Sequence, residues 1–147
     1  MRTIYAILIT CLFSLFFVGT TQAQWVQTSL DSVVTTCFAS DATSLFVGTL
    51  RQGVFHSTNN GIDWTSVNSG LPPNIGITAI VFSNENLIAG ISDSGVFLST
   101  DDGLSWTQTG LTNTNVRALA VSGTNMYAGY EGRFCGGGLD RSTDNGS

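Results

Sequence analysis

"GVFHSTNNGIDWT" occupies residues 53–65, "GVFLSTDDGLSWT" occupies 95–107, and "STDNGS" at 142–147 begins the same phrase a third time. The serines that head the shared motif, Ser57, Ser99 and Ser142, lie 42 and 43 residues apart. A period of this length marks stacked supersecondary units, each too small to bury its own apolar face.

The similarity runs on outside the quoted phrase. "SLFVGTLRQGVFHST", "NLIAGISDSGVFLST" and "NMYAGYEGRFCGGGLDRST" align on Gly48, Gly90 and Gly129, and "TTCFAS", "AIVFSN" and "ALAVSG" precede them. Trp25, Trp64 and Trp106 begin "WVQTSL", "WTSVNSGL" and "WTQTGL". The middle unit therefore divides into "ITAIVFS", "NLIAGIS", "GVFLSTD" and "SWTQTG", all of strand length, rich in Val, Ile, Phe and Thr, and without helical periodicity. Four strands in a period of about 42 residues is the spacing of a β-propeller blade. An α-solenoid would need two amphipathic helices per unit, and Gly and Asn recur too often for that. The expected fold is all-β: a β-propeller of four-stranded antiparallel blades, present as an incomplete set of about three.

Within the repeated phrase, Asn60-Gly61, Asp102-Gly103 and Asn145-Gly146 are turn dipeptides that tolerate positive φ. Asn59, Asp101 and Asp144 stand two residues before each glycine, where a side chain can accept backbone N–H groups and fix the loop. Trp64 and Trp106 follow, large enough to plug the gap between adjacent blades.

These residues resemble the Asp-box, or BNR, repeat, Ser-x-Asp-x-Gly-x-x-Trp, of secreted β-propellers. "STDDGLSW" (99–106) matches it fully, "STNNGIDW" (57–64) has Asn59 for the aspartate, and "STDNGS" stops before the tryptophan. The structural box residues implied are Ser57, Asn59, Gly61 and Trp64; Ser99, Asp101, Gly103 and Trp106; and Ser142, Asp144 and Gly146. The family includes sialidases, sortilin-type receptors, photosystem II assembly-factor-type propellers and bacterial multi-repeat surface proteins. The resemblance thus specifies fold far better than function.

The N-terminus carries a different signal. Arg2 precedes the apolar run from Ile4 to Gly19, 16 residues long, and then small residues at Thr21 and Ala23. A spanning helix needs about 20 apolar residues. The segment reads as a signal peptide, 1–23, cleaved after Ala23, which leaves 24–147 as the propeller segment, secreted or at the cell surface, with no membrane insertion after cleavage. That mature part keeps four arginines and no lysine against ten acidic residues, a net charge of −6. With no basic cluster, nucleic acid is not an expected partner. Cys37 and Cys135 fall in different repeats; Cys37, aligned with Val81 and Ala120, reads as a free thiol at a small core position.

Enzymatic readings find little support. The resemblance to sialidases would imply an arginine cluster, a tyrosine nucleophile with a glutamate, and an aspartic acid catalyst. Arg51, Arg117, Arg133 and Arg141 are available, but their contexts lack the arginine signature that precedes the first box in those enzymes. An EF-hand-like calcium loop needs a glutamate six residues past the glycine, and Val67 and Thr109 stand there. His56, the single histidine, sits beside Ser57 on a strand, so the two point to opposite faces. One His and two distant Cys cannot make a zinc site. "FCGGGLD" (134–140) lacks the lysine of a phosphate loop and reads as a flexible insertion. No catalytic residue, metal or cofactor is expected.

The functional expectation is a non-enzymatic binding or scaffold module with a protein or glycan partner; the alternative is a piece of a sialidase-like glycoside hydrolase. Under three blades argues for a fragment, because propellers close with about four to eight. "WVQTSL" at the front reads as a lone fourth strand of the kind that pairs with a propeller's last blade. In a four-stranded meander the repeated hairpins share one end with the first turns, while the second turns and the crossings share the other. That other end is where the repeats diverge, and variable polar loops on a rigid frame are where binding residues concentrate. Arg51, Asp93, Glu131, Arg133 and Phe134 are the residues expected to face a ligand.

Overall fold

A computed structural model describes residues 24–132 and 136–144. The expected signal peptide, 1–23, lies outside them, as do Arg133, Phe134 and Cys135 and the last three residues, Asn145, Gly146 and Ser147.

The described residues form eleven strands and no helix. The first sheet holds β1 (Thr35–Ser40), β2 (Leu45–Thr49), β3 (Val54–Ser57) and β4 (Thr65–Ser66). The second holds β5 (Ile77–Ser83), β6 (Asn86–Ile91), β7 (Gly95–Ser99) and β8 (Thr107–Thr112). The third holds β9 (Asn115–Ser122), β10 (Asn125–Glu131) and β11 (Gly137–Ser142). Every pairing is antiparallel and sequential, so each sheet is a meander. The chain is a partial β-propeller: two four-stranded blades and a three-stranded one, stacked in chain order with β5 between β1 and β9.

The core lies between blades rather than within one. Phe46, Val54 and Val67 of the first blade meet Ile77, Ile80, Leu87, Ala89, Ile91, Phe97 and Trp106 of the second. Ile88 and Val96 of the second meet Val116, Met126 and Ala128 of the third. Along β6, Leu87, Ala89 and Ile91 therefore face backward and Ile88 faces forward, and all are buried. A strand covered on both faces needs no polar alternation, which explains the unbroken apolar run "LIAGI".

Inter-blade approach is close at one glycine column. A Cβ on Gly48 would come within 2.7 Å of Ile77 Cγ2, and one on Gly90 within 2.5 Å of Val116 Cγ1. Ile77 and Val116 lie at the start of the first strand of the following blade, so Gly48 and Gly90 are notches into which the next blade fits.

Three expectations need correction. Residues 25–30 form no strand, and Trp25 is 99% exposed: a fourth strand has to pair with a third, and none lies beside it among the described residues. Cys37 is not in register with Val81 and Ala120. It pairs with Gly48 as Ala79 pairs with Gly90 and Ala118 with Gly129. The strand register thus differs by two residues from the one the sequence suggests, a slide that leaves every side chain on its own face. The Gly-rich stretch is partly strand: Gly137 and Gly138 pair with Glu131 and Tyr130, extending the β10–β11 hairpin.

Candidate functional site

The repeated hairpin is built around its serine. Ser57 Oγ accepts the Gly61 N–H at 2.9 Å and donates to Asn59 Oδ1 at 3.0 Å. Asn59 Oδ1 also accepts the Asp63 N–H at 2.9 Å. In the second hairpin Ser99 Oγ accepts from Gly103 at 2.8 Å and donates to Asp101 Oδ1 at 2.8 Å, and Asp101 Oδ1 accepts the Ser105 N–H at 2.8 Å. Asn60 and Asp102 have φ of 58° and 56°, the left-handed geometry that selects these residue types. The third hairpin begins alike, with Ser142 Oγ donating to Asp144 Oδ1 at 2.6 Å; Gly146 lies outside the described residues. The sequence marks these serines as repeated box positions, and the structure adds the bond each accepts from the glycine four residues on.

Charge is secondary in this motif. Ser105 donates to Asp101 from both its hydroxyl and its backbone N–H, and these bonds, with that from Ser99, hold the Asp101 carboxyl below its ordinary range. Asn59 does the same mechanical work uncharged, its Nδ2 donating to Asp63 Oδ2 at 2.9 Å.

The tryptophans differ. Trp106 is buried between the first two blades; its indole N–H donates to Val67 O at 2.9 Å and its backbone N–H to Ser69 O at 2.9 Å. Trp64, expected to plug an equivalent gap, is half-buried and donates to Gly61 O of its own hairpin at 3.0 Å. It occupies the face of the first blade on which no other blade packs among the described residues.

At the other end the second turns and the crossings interlock. Ser92 N–H donates to Gly76 O at 3.0 Å, Gly76 packs on Leu50 O, and Ser92 Oγ donates to Asn115 Oδ1 at 3.2 Å. This row gathers the turn carrying Arg51, the turn carrying Asp93, and both crossings. Arg51, Asp93 and Glu131 are exposed on it; Arg133 and Phe134 lie outside the described residues. Arg117, absent from the expected set, pairs with Glu131 through Nε at 3.0 Å and Nη2 at 2.5 Å. The strand register explains the omission: Asn115 pairs with Glu131, bringing Arg117 to the same end from a strand that looked structural.

Each end carries a cleft. One of 240 Å³ at the variable end is lined by Val34, Leu50, Arg51 and Gln52 among others. One of 520 Å³ at the hairpin end is lined by Asp41, Phe82, Glu85, Thr100 and Asp102. Its carboxylates do not converge: among the described residues no three His, Cys, Asp or Glu side chains could hold one metal ion. Asp41 is occupied locally, its Oδ1 accepting the Thr43 and Ser44 N–H groups at 2.7 Å each, which lowers its pKa. A third cleft, of 280 Å³, separates the second and third blades. His56 serves packing, stacked on Phe46 at 4.3 Å between ring centroids with Nε2 3.0 Å from Ser44 Oγ.

No family model and no curated protein matches the chain. Solved structures similar in fold include a GH74 xyloglucanase from Xanthomonas campestris (22% identity, TM-score 0.59, 70% of this chain and 19% of that one). An extracellular domain from B. thetaiotaomicron matches at 18% identity and TM-score 0.55, over 67% of this chain and 14% of that one. The phage phi92 endosialidase matches at 19% identity and TM-score 0.52, over 67% and 19%. The chain thus spans less than a fifth of each of these structures, and the likeness is one of fold.

Proposed function

We propose that the chain is an extracytoplasmic binding or scaffold module built from Asp-box repeats, a fragment-sized propeller segment whose variable end meets a protein or glycan. The observation that carries this reading is the contrast between the two ends. At the hairpin end the side chains of Ser57, Asn59, Ser99 and Asp101 are spent on their own loops. At the other end Arg51 and Asp93 stand exposed on turns, and the exposed Arg117–Glu131 pair lies on the adjoining ends of β9 and β10, beside the row of interlocking backbone hydrogen bonds. The N-terminal apolar segment is the support for export.

A glycoside hydrolase segment is the second reading, favoured by the xyloglucanase and endosialidase among the fold relatives. One experiment separates the two. The chain is titrated with xyloglucan and sialyl oligosaccharides, and both binding and released reducing sugar are followed. Binding without turnover, weakened by Arg51→Ala or Glu131→Ala and not by Asp63→Ala, is the expected outcome. Sugar release would establish the hydrolase reading, and loss of binding only on hairpin-end substitution would reverse the assignment of ends.

A further inference from the structure

The second blade has a neighbour on each face, so an apolar side chain that it leaves in solvent is a property of the blade itself. Leu104, in the hairpin between Ser99 and Trp106, is 68% exposed. One exposed aliphatic side chain alone would mean nothing. The first blade repeats it: Ile62 holds the same place between Ser57 and Trp64 and is 65% exposed. Both follow the motif's glycine, where the turn uses only a backbone N–H. Leu104 N–H donates to Asp101 O at 3.1 Å and Ile62 N–H to Asn59 O at 3.4 Å.

The second hairpin also lends Thr100 and Asp102 to the 520 Å³ cleft at the junction of the first two blades. The apolar wall of that cleft is Phe82, half-buried and set edge-to-face on Phe46 at 5.6 Å between ring centroids. Its rim carries Asp41, Glu85 and Asp102, all exposed and from three separate turns. Charge along these blades is divided in the same sense. Residues 35–112 hold six carboxylates and one arginine. Asp41, Asp63, Glu85, Asp101 and Asp102 lie in turns of the hairpin end, whereas Asp93 and Arg51 lie in turns of the other. The hairpin end of the two blades is thus apolar at its tips and acidic around them.

We propose that the hairpin end of the first two blades docks a cationic, amphipathic segment of another polypeptide, with its apolar side chains on Leu104 and Phe82. Its arginines or lysines then meet the flanking carboxylates. Charge complementarity selects this occupant. Among the described residues no three His, Cys, Asp or Glu side chains could share a metal ion, but an extended segment spaces its cations along the surface. An anionic lipid surface or a nucleic acid is repelled. Apolar contact supplies affinity, and the exposed charges, screened by salt, supply rate and choice of partner. This surface lies opposite the end assigned above to a protein or glycan, and the inference does not depend on that assignment.

The test uses the full chain and a labelled synthetic peptide of repeated Arg-Thr-Leu-Thr units, which sets arginine and leucine alternately on one face of an extended strand. Fluorescence anisotropy should show saturable binding that weakens between about 0.05 M and about 0.5 M salt. Exchanging the peptide's leucines for serine, or its arginines for glutamate, should each remove most of the signal while leaving the protein untouched. On the protein, Leu104→Ser should weaken binding about fivefold, in keeping with a partly buried leucine. Glu85→Gln with Asp102→Asn should weaken it about threefold, in keeping with exposed ion pairs. Asparagine at 102 keeps the turn, as Asn60 does at φ 58° in the first blade. Asp31→Asn, on the approach to β1 from the other end, should leave binding unchanged. The proposal is overturned by no saturable binding up to about 1 mM peptide, by equal binding of the serine or glutamate peptide, or by an equal effect of Asp31→Asn. Retention on phosphatidylglycerol vesicles that the peptide fails to displace would also overturn it, assigning the surface to a lipid.

Discussion

Ser99 and Asp101 divide the labour of one hairpin, and substitutions can separate their parts. The Ser99 hydroxyl is buried, and its loss leaves the buried Gly103 N–H without an acceptor. Ser99→Ala should cost about 1–3 kcal/mol in urea denaturation. Asp101→Asn should be nearly neutral at pH 7, because Asn59 already shows an amide holding the same loop. Acid should expose the difference. The Asp101 pKa is lowered by its hydrogen bonds, so its contribution is complete above the ordinary carboxylate value of 3.8 and is lost as pH falls through the still lower folded value. Between pH 5 and about pH 2, by that linkage, the wild-type chain should lose urea resistance that Asp101→Asn retains. Trp106→Ala should cost about 3–5 kcal/mol, the usual figure for emptying a buried aromatic site, and Trp64→Ala clearly less. Equal losses at the two tryptophans would contradict the inter-blade role assigned to Trp106.

At the scale of the strand, Gly48, Gly90 and Gly129 share a column and not a surrounding. Alanine at Gly48 or Gly90 would strike Ile77 or Val116 of the following blade, and each should destabilise by about 1–3 kcal/mol, the range for overpacking. At Gly129 the nearest atom to an added Cβ is Ala118 Cβ at 3.9 Å, so Gly129→Ala should be neutral or slightly stabilising in thermal melts. Turn dipeptides and apolar runs made the strands legible in advance, because both are local properties of the chain. The notch was not legible: the three glycines look alike in sequence, and what distinguishes them is the next blade, joined at Gly48 by Cys37 of its own sheet. The slide of β1 by two residues escaped for a related reason, since alternation records the face of a side chain and not its height. The hairpin carboxylate and its serine were both visible as repeated positions, but the serine's acceptance of the glycine N–H was not, because that bond is made only in the folded turn. Arg117 was missed because its partner Glu131 is reached only through the pairing of β9 with β10.

The stack as a whole is unevenly protected. β6 is covered on both faces, while most of β1 and all but the last residue of β11 are exposed. Amide hydrogen exchange should be slowest in β6 and fastest in β11 and the outer residues of β1, since exchange follows the local opening free energy. Uniform protection across the three blades would point to a single cooperative unit instead of a series of neighbours. The lone thiol among the described residues lies at a boundary of that series. Cys37 is half-buried against Ile77 of the next blade, and burial raises its pKa. It should react with iodoacetamide at pH 8 far more slowly than the same chain in urea.

Trp106 secures the first blade to the second, yet it stands 39 residues after the carbonyl it grips. As the polypeptide is synthesised, a completed blade must wait for most of its successor before it is clasped. Assembly on this plan is a relay, in which each unit becomes secure only when the following one has been delivered. The newest blade is always the loosest, so a pause in delivery should leave a defined, protease-sensitive rear edge rather than a disordered whole.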